Sequence, residues 1–229
     1  MNLKRGLIVG VAVVVVLVVG GPYVYTHYIE SKPPKKLTLS NNKTTATSAA
    51  TGASVPLDGT WNVTSGSQAG YRVNEVLFGQ KHEAVGRTDA VTGKMTISGT
   101  TCSNGTFTVD LTKVASDQDR RDRQFQGRIM NTATYPTATF NPSSPVDFKS
   151  IPAEGATTTV DVPGQLTMHG KTKPVTIHLS ARRTGSSIQV SGSVPVTFAD
   201  WNIPNPSFAG VVTTEDHGTM EFLLNFAHA

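Results

Sequence analysis

The stretch VTIHLSARRTGSSIQVSGSVPVTF, residues 175–198, alternates apolar and polar side chains with a period of two. Successive side chains of a β-strand point to opposite faces, so this pattern is typical of strands that bury one face. The first run places these apolar residues on one face: Val175, Ile177, Leu179 and Ala181. The second run repeats the pattern across Gly192: Ile188, Val190, Val194, Val196 and Phe198. The stretch therefore predicts two long strands.

The same alternation recurs on both sides of this stretch. It is clearest in these segments: 107–111, 220–226 and, more briefly, around Val73, 95–97, 139–140 and 160–168. Eight or nine strands separated by Gly, Pro and Asn turns predict an all-β sandwich or barrel over residues 57–229.

One charged segment, DQDRRDRQFQGRIM at 117–130, departs from the strand pattern. Arg121, Phe125 and Ile129 are spaced at i, i+4 and i+8, which predicts a short helix with Asp117 or Asp119 near its N-cap. The mixture of acidic and basic residues predicts a solvated, salt-bridged helix face rather than a catalytic site.

The formal net charge of +4 is unevenly distributed along the chain. Residues 1–56 contain six Lys or Arg and one Glu, which gives them a charge of +5. Residues 57–229 contain 14 Lys or Arg against 15 Asp or Glu, a charge of −1. A nucleic-acid-binding domain needs its positive charge on the folded part, so this distribution argues against a nucleic-acid partner.

The N-terminal quarter predicts a membrane anchor and a linker. After a short tail, residues 1–6, an apolar run at 7–25 would span roughly 28 Å as a helix, close to the ~30 Å hydrocarbon core of a bilayer. Residues 26–56 are rich in small and polar residues and are predicted to form a flexible tether. A cleaved signal peptide is the alternative for 7–25, although no small-x-small cleavage site follows it. The layout predicts a single-pass protein of the cytoplasmic membrane with an extracytoplasmic body.

Two motifs of the body are more specific than its alternation: YPTATF at 135–140, which follows Arg121-Asp122, and GQLTMHGKTKPV at 164–175. Together they closely resemble the YceI-like, polyisoprenoid-binding family, over about residues 58–227. The resemblance implies an antiparallel, eight-stranded, lipocalin-like β-barrel with one short helix. It also implies an apolar cavity that holds an isoprenoid, quinone or fatty-acyl lipid, and no catalysis.

Aromatic residues of the body are the candidates for lining such a cavity: Tyr71, Phe78, Phe107, Phe125, Tyr135, Phe140, Phe198, Trp201 and Phe222. A possible polar end of the ligand site is assigned to Arg121, Asp122 and His169. In an ordinary small barrel the same aromatic side chains would simply fill the core.

Other chemistry is absent from the sequence. The six histidines show no metal-binding spacing, and Cys102 is the single cysteine, so neither a metal site nor an internal disulfide is predicted. We therefore expect a membrane-tethered lipid-binding protein without a catalytic cofactor. Two alternatives stay open: an enzyme that uses Arg121, Asp122, Tyr135 and His169 inside the cavity, and a surface interaction module with a filled core.

Overall fold

The computed structural model describes residues 32–39, 56–77, 79–208 and 212–229. Within these ranges the chain forms eleven strands, all paired antiparallel. They are β1 (Gly59–Leu77), β2 (Gln80–Thr88), β3 (Val91–Ser98), β4 (Thr101–Asp110), β5 (Thr137–Pro142), β6 (Val146–Asp147), β7 (Thr157–Met168), β8 (Lys171–Thr184), β9 (Ser187–Thr197), β10 (Val212–Thr214) and β11 (His217–His228).

Eight of these strands close into a barrel in the order β1-β11-β9-β8-β7-β5-β4-β3, and β3 pairs with β1 again. Closure is visible at Trp61, which is paired with His228 on one side and with Met95 on the other. The predicted eight-stranded antiparallel barrel is therefore confirmed. β2 extends the wall beside the second half of β1, and β6 and β10 are short additions to β4 and β1.

The period-two alternation places its apolar set inside the barrel. Ile177, Val194 and Val196 are buried, and Trp61 and Phe226 are almost completely so. Gly192 interrupts the alternation for a steric reason, because a Cβ atom there would lie 2.7 Å from the ring of Phe222 and 2.9 Å from Leu179. The glycine lets these neighbouring side chains occupy the space that its own side chain would need.

The predicted helix is confirmed in a shorter form. Helix α1 spans Asp119–Gln124 and continues as a π-helical turn over Phe125–Ile129, with Gln118 at its N-cap. Phe125 and Met130 are buried, and the Phe125 ring stacks on Tyr71 with ring centroids 5.0 Å apart. The helix thereby covers one end of the barrel, which we call the helix end.

The opposite end is formed by turns and loops, and we call it the loop end. The chain enters β1 there, and the turn at residues 99–100, the connection at 143–156 and the β8–β9 hairpin lie around it. Strand connections at the helix end include the His169-Gly170 turn between β7 and β8 and the helical turn Phe198–Trp201.

Residues 32–39 lie against the outside of the barrel. The Arg72 and Arg87 guanidiniums donate to the backbone carbonyls of Pro34 and Lys35, and the backbone N–H of Leu37 donates to Glu221 at 3.2 Å. These contacts of residues 32–39, which lie within the predicted tether at 26–56, are made by main-chain atoms, and composition does not reveal them. The anchor predicted at 7–25 and the rest of the tether lie outside the described residues.

No helix among the described residues is both long and apolar enough to cross a membrane.

Candidate functional site

An apolar cavity of about 570 Å³ runs inside the barrel. Every one of the eight barrel strands contributes apolar side chains to its wall, for example Tyr71, Met95, Val109, Phe140, Val162, Leu179, Val194 and Phe222. This volume falls within the range of about 300–1,000 Å³ that is usual for sites that bind small ligands. The alternative of an interaction module with a filled core does not fit an interior that is open along the barrel.

Six of the nine predicted aromatic residues line this cavity: Tyr71, Phe107, Phe125, Phe140, Phe198 and Phe222. Tyr135 and Trp201 lie elsewhere at the helix end. Tyr135 packs edge-on against His169 with centroids 5.0 Å apart, and Trp201 is buried with Lys173 Nζ 5.9 Å from its ring centroid. Phe78 lies outside the described residues.

Polar side chains meet the cavity at the helix end. Arg121 reaches Glu75 Oε1 with its Nη2 at 3.6 Å and pairs with Asp117 one helical turn earlier. On the next strand, His82 Nδ1 lies 3.2 Å from the same Glu75 oxygen. Arg121 and Glu75 line the cavity, as does Tyr71. We call Glu75, His82, Asp117 and Arg121 the inner cluster.

Burial and neighbouring charges together shift the pKa values of Tyr71 and Arg121. Desolvation raises the pKa of the Tyr71 hydroxyl well above its usual range, although the nearby Arg121 charge opposes this shift. Desolvation by itself would lower the pKa of Arg121, but Glu75 and Asp117 outweigh it and raise that pKa. The cavity end therefore presents a protonated phenol and a guanidinium whose charge is already compensated by carboxylates.

The predicted polar end is only partly assembled. Asp122 faces away from the cavity and accepts hydrogen bonds from the Ser116 N–H at 2.8 Å and the Ser116 hydroxyl at 2.7 Å. His169 lies in the β7–β8 turn with φ 47°, and its Nδ1 is 3.0 Å from the Trp201 carbonyl oxygen. Neither residue lines the cavity, so only Arg121 of the three predicted polar residues does.

Sequence reasoning missed Glu75 and His82. Glu75 follows Tyr71 and Val73 at a period of two on β1, and His82 is its cross-strand partner on β2. The alternation around Val73 could have predicted that Glu75 faces the cavity, because Glu75 continues the inward face of Tyr71 and Val73. The pairing with His82 needed the register of the β1–β2 hairpin. The salt bridges expected for helix residues 117–130 are present at Arg121, but its side chain is largely buried on the face of Phe125 and not solvated.

A second group of charges lies on the outer wall, beneath residues 32–39. Arg72 Nε contacts Glu221 Oε2 at 2.9 Å, Arg72 Nη1 contacts Glu83 Oε2 at 2.5 Å, and Arg87 Nη2 contacts Glu221 Oε1 at 2.8 Å. The side chains of Arg72 and Glu221 are only 5% and 3% exposed. We call Arg72, Glu83, Arg87 and Glu221 the outer cluster.

Metal-binding geometry is missing from the described part of the chain. Within residues 32–39, 56–77, 79–208 and 212–229, no group of three or more His, Cys, Asp or Glu side chains could hold a metal ion. Cys102 lines the loop end of the cavity as a free thiol, and burial raises its pKa to about 11.

The fold and the cavity place this protein in the class of closed, eight-stranded antiparallel β-barrels with an internal apolar cavity. The chain belongs to the YceI-like domain family, whose sequence profile matches residues 61–226. The family resemblance of the sequence is thereby confirmed. A comparison with curated protein sequences gives no significant match.

Solved structures with the same fold include two bacterial proteins. A polyisoprenoid-binding domain from Saccharophagus degradans, implicated in plant cell wall breakdown, matches with a TM-score of 0.60 and 20% identity, over 74% of this chain and 98% of that chain. Burkholderia cenocepacia BcnA matches with a TM-score of 0.51 and 20% identity, over 68% of this chain and 95% of that chain. At this level of identity the likeness concerns the fold.

Proposed function

We propose that this protein binds and carries a slender lipid with one uncharged polar end, of the isoprenoid, quinone or fatty-acyl class. The observation that carries the proposal is the continuous apolar cavity of about 570 Å³. If each methylene-sized group takes about 30 Å³, the share of one water molecule in the liquid, there is space for on the order of twenty groups. Each buried CH₂ contributes about 0.8 kcal/mol, so such a chain binds with few polar contacts.

The inner cluster supports an uncharged rather than an anionic polar end. Arg121 is already paired with Glu75 and Asp117, so an added phosphate or carboxylate would meet two carboxylates and only one guanidinium. A hydroxyl, carbonyl or amide could share hydrogen bonds with Arg121 or Tyr71 without adding charge. The polyisoprenoid-binding relative from Saccharophagus degradans agrees with this class of ligand.

Membrane attachment is the second part of the proposal. The apolar run at 7–25 and the n-region/h-region layout support a single-pass anchor that holds the barrel at the outer face of the cytoplasmic membrane. A barrel held there has direct access to membrane lipids. We propose binding rather than turnover, because Arg121, Glu75 and Asp117 beside the cavity are held by one another in ion pairs.

The test uses two probes with the same tail, cis-parinaric acid and its alcohol, and the fluorescence that each gains in an apolar site. We expect the alcohol to bind more tightly than the acid at pH 7. The variant Val109→Trp, in which a large ring enters the cavity, should lose binding, whereas Val76→Trp on the exposed outer face of β1 should retain it. Absence of binding to the wild type, together with no lipid in organic extracts analysed by mass spectrometry, would refute the proposal.

A further inference from the structure

The barrel wall lacks a full-length strand in one place. β5 is six residues long, and it pairs with β4 only over Phe107–Asp110 and with β7 only over Gly164–Thr167. The first halves of β4 and β7, at the loop end, therefore have no strand of β5 between them. The connection at 143–156, which we call the portal loop, covers this gap.

Hydrogen bonds to the barrel hold the portal loop at residues 143–148 and at Gly155, but not at residues 149–153. The Ser143 N–H donates to Pro163 O at 2.9 Å, the Phe148 N–H to Thr100 O at 3.0 Å, and the Gly155 N–H to Arg183 O at 2.8 Å. Both residues of β6 are paired with β4, Val146 with Cys102 and Asp147 with Thr101. Among the described hydrogen bonds, none joins residues 149–153 to a residue outside the loop. This middle part has the least local support, which is typical of segments that open.

Ile151 lies at the boundary between the cavity and solvent. Its side chain lines the cavity and is nevertheless 56% exposed, one of the most exposed large apolar residues described. Cavity-lining residues of the loop end that are exposed include Gly99, Ser144 and Pro145, whereas those of the helix end, such as Phe125 and Met130, are buried. The cavity therefore communicates with solvent at the portal loop.

The portal loop carries one ion pair and one further carboxylate, Glu154, so its net charge is −1. Lys149 Nζ contacts Asp147 Oδ2 at 2.8 Å, and the Lys149 N–H donates to Asp147 Oδ1 at the same distance. Glu154 accepts a hydrogen bond from the Gly185 N–H at 2.8 Å. A loop with a net charge of −1 does not attract anionic lipid headgroups, and its one protruding apolar side chain is suited to an apolar contact.

We propose that the portal loop is the entrance for the ligand and that it contacts an uncharged bilayer surface, with Ile151 touching the lipid as it passes. The inference rests on the proposed lipid binding and adds its route and its partner surface. Lipid entry requires the middle of the loop to move away from the gap between β4 and β7. Because Ile151 is more than half exposed, residue 151 affects the rate of entry more than the affinity of the bound state.

The experiment measures transfer of cis-parinaryl alcohol from phosphatidylcholine vesicles to the full-length protein in detergent-free nanodiscs. We expect Ile151→Ser to slow transfer about fivefold, because roughly half of an isoleucine's apolar contact is lost. The matched control is Phe208→Ser, which removes an equally exposed apolar side chain (57%) beyond the helix end and should leave the rate unchanged. Equilibrium affinity for the probe added from ethanol should agree within twofold in the wild type and Phe208→Ser, and in Ile151→Ser it should fall by less than the transfer rate does.

A second variant keeps the inference falsifiable without removing Ile151. Val146 is the cross-strand partner of Cys102, so Val146→Cys places two thiols at a distance that a disulfide can span. The disulfide fixes β6, which is already paired with β4, and leaves residues 149–153 able to move, so the oxidised and reduced forms should transfer the probe at the same rate. Equal rates for Ile151→Ser and Phe208→Ser, or slower transfer by the oxidised form, would overturn entry through residues 149–153. Absence of equilibrium binding by the wild type would instead overturn the proposed function, and the portal with it.

Discussion

The inner and outer clusters use the same chemistry on opposite sides of one barrel wall. In each, an arginine joins carboxylates from neighbouring elements: Arg121 contacts Glu75 and Asp117, and Arg72 contacts Glu83 and Glu221. The two sides are separated by a single step along β1, because Tyr71 faces the cavity and Arg72 faces outward. The period of two in a strand thus places a ligand-facing residue directly beside a structural one.

The difference lies in what completes each cluster. The outer cluster is covered by residues 32–39, whose carbonyl groups accept from Arg72 and Arg87 and whose Leu37 N–H donates to Glu221. The inner cluster borders an open cavity instead. Charges that are closed off by the chain itself stabilise the fold, whereas charges beside a cavity can recognise a ligand. The comparison predicts that substitutions in the outer cluster change stability and those in the inner cluster change binding.

The largest effect is expected for Glu221→Ala. Removal of the shared carboxylate leaves Arg72 and Arg87 without their main partner under residues 32–39, which should lower the free energy of unfolding by about 3–5 kcal/mol. Urea unfolding measures this loss. Trypsin should also cut after Lys35 and Lys36 faster, because the N–H of Leu37 loses its acceptor. Affinity for the parinaryl alcohol should be retained under conditions where the variant is folded.

The control for this prediction is Lys36→Ala, which changes an exposed side chain of the same segment. The outer cluster contacts main-chain atoms, so this substitution should change the unfolding free energy by less than about 0.5 kcal/mol. A Glu221→Ala variant no less stable than Lys36→Ala would show that the outer cluster does not hold residues 32–39.

A smaller effect, on binding rather than on stability, is expected for Arg121→Met. The substitution keeps the length of the side chain and removes its hydrogen-bond donors, so affinity for the parinaryl alcohol should fall about tenfold. Diphenylhexatriene, which has no polar end, should bind with unchanged affinity. Asp122→Asn is the matched variant: Asp122 bonds to Ser116 outside the cavity, so both probes should bind normally. An equal loss for both probes in Arg121→Met would assign Arg121 to packing alone.

The fold could be predicted from the sequence because strand alternation and the YPTATF and GQLTMHGKTKPV motifs are local features. The site could be predicted in part, since the i, i+4, i+8 spacing puts Arg121 on one helix face with buried Phe125 and with Ile129, which lines the cavity. The contribution of Glu75 and His82 depends on cross-strand register. The docking of 32–39 depends on backbone atoms, so a composition poor in apolar residues gave no indication of it.

The smallest effect is expected for the pH dependence of stability near neutrality, which depends on Glu221 of the outer cluster. Burial alone would raise the pKa of Glu221, but hydrogen bonds from Arg72 and Arg87 outweigh it and lower that pKa. The unfolded chain therefore holds the Glu221 proton more tightly, so the stabilisation is complete above the ordinary value of about 4.3 and is lost as the pH falls through the lowered folded value. The stability difference between wild type and Glu221→Gln should be constant from pH 5 to pH 8 and should shrink only in acid.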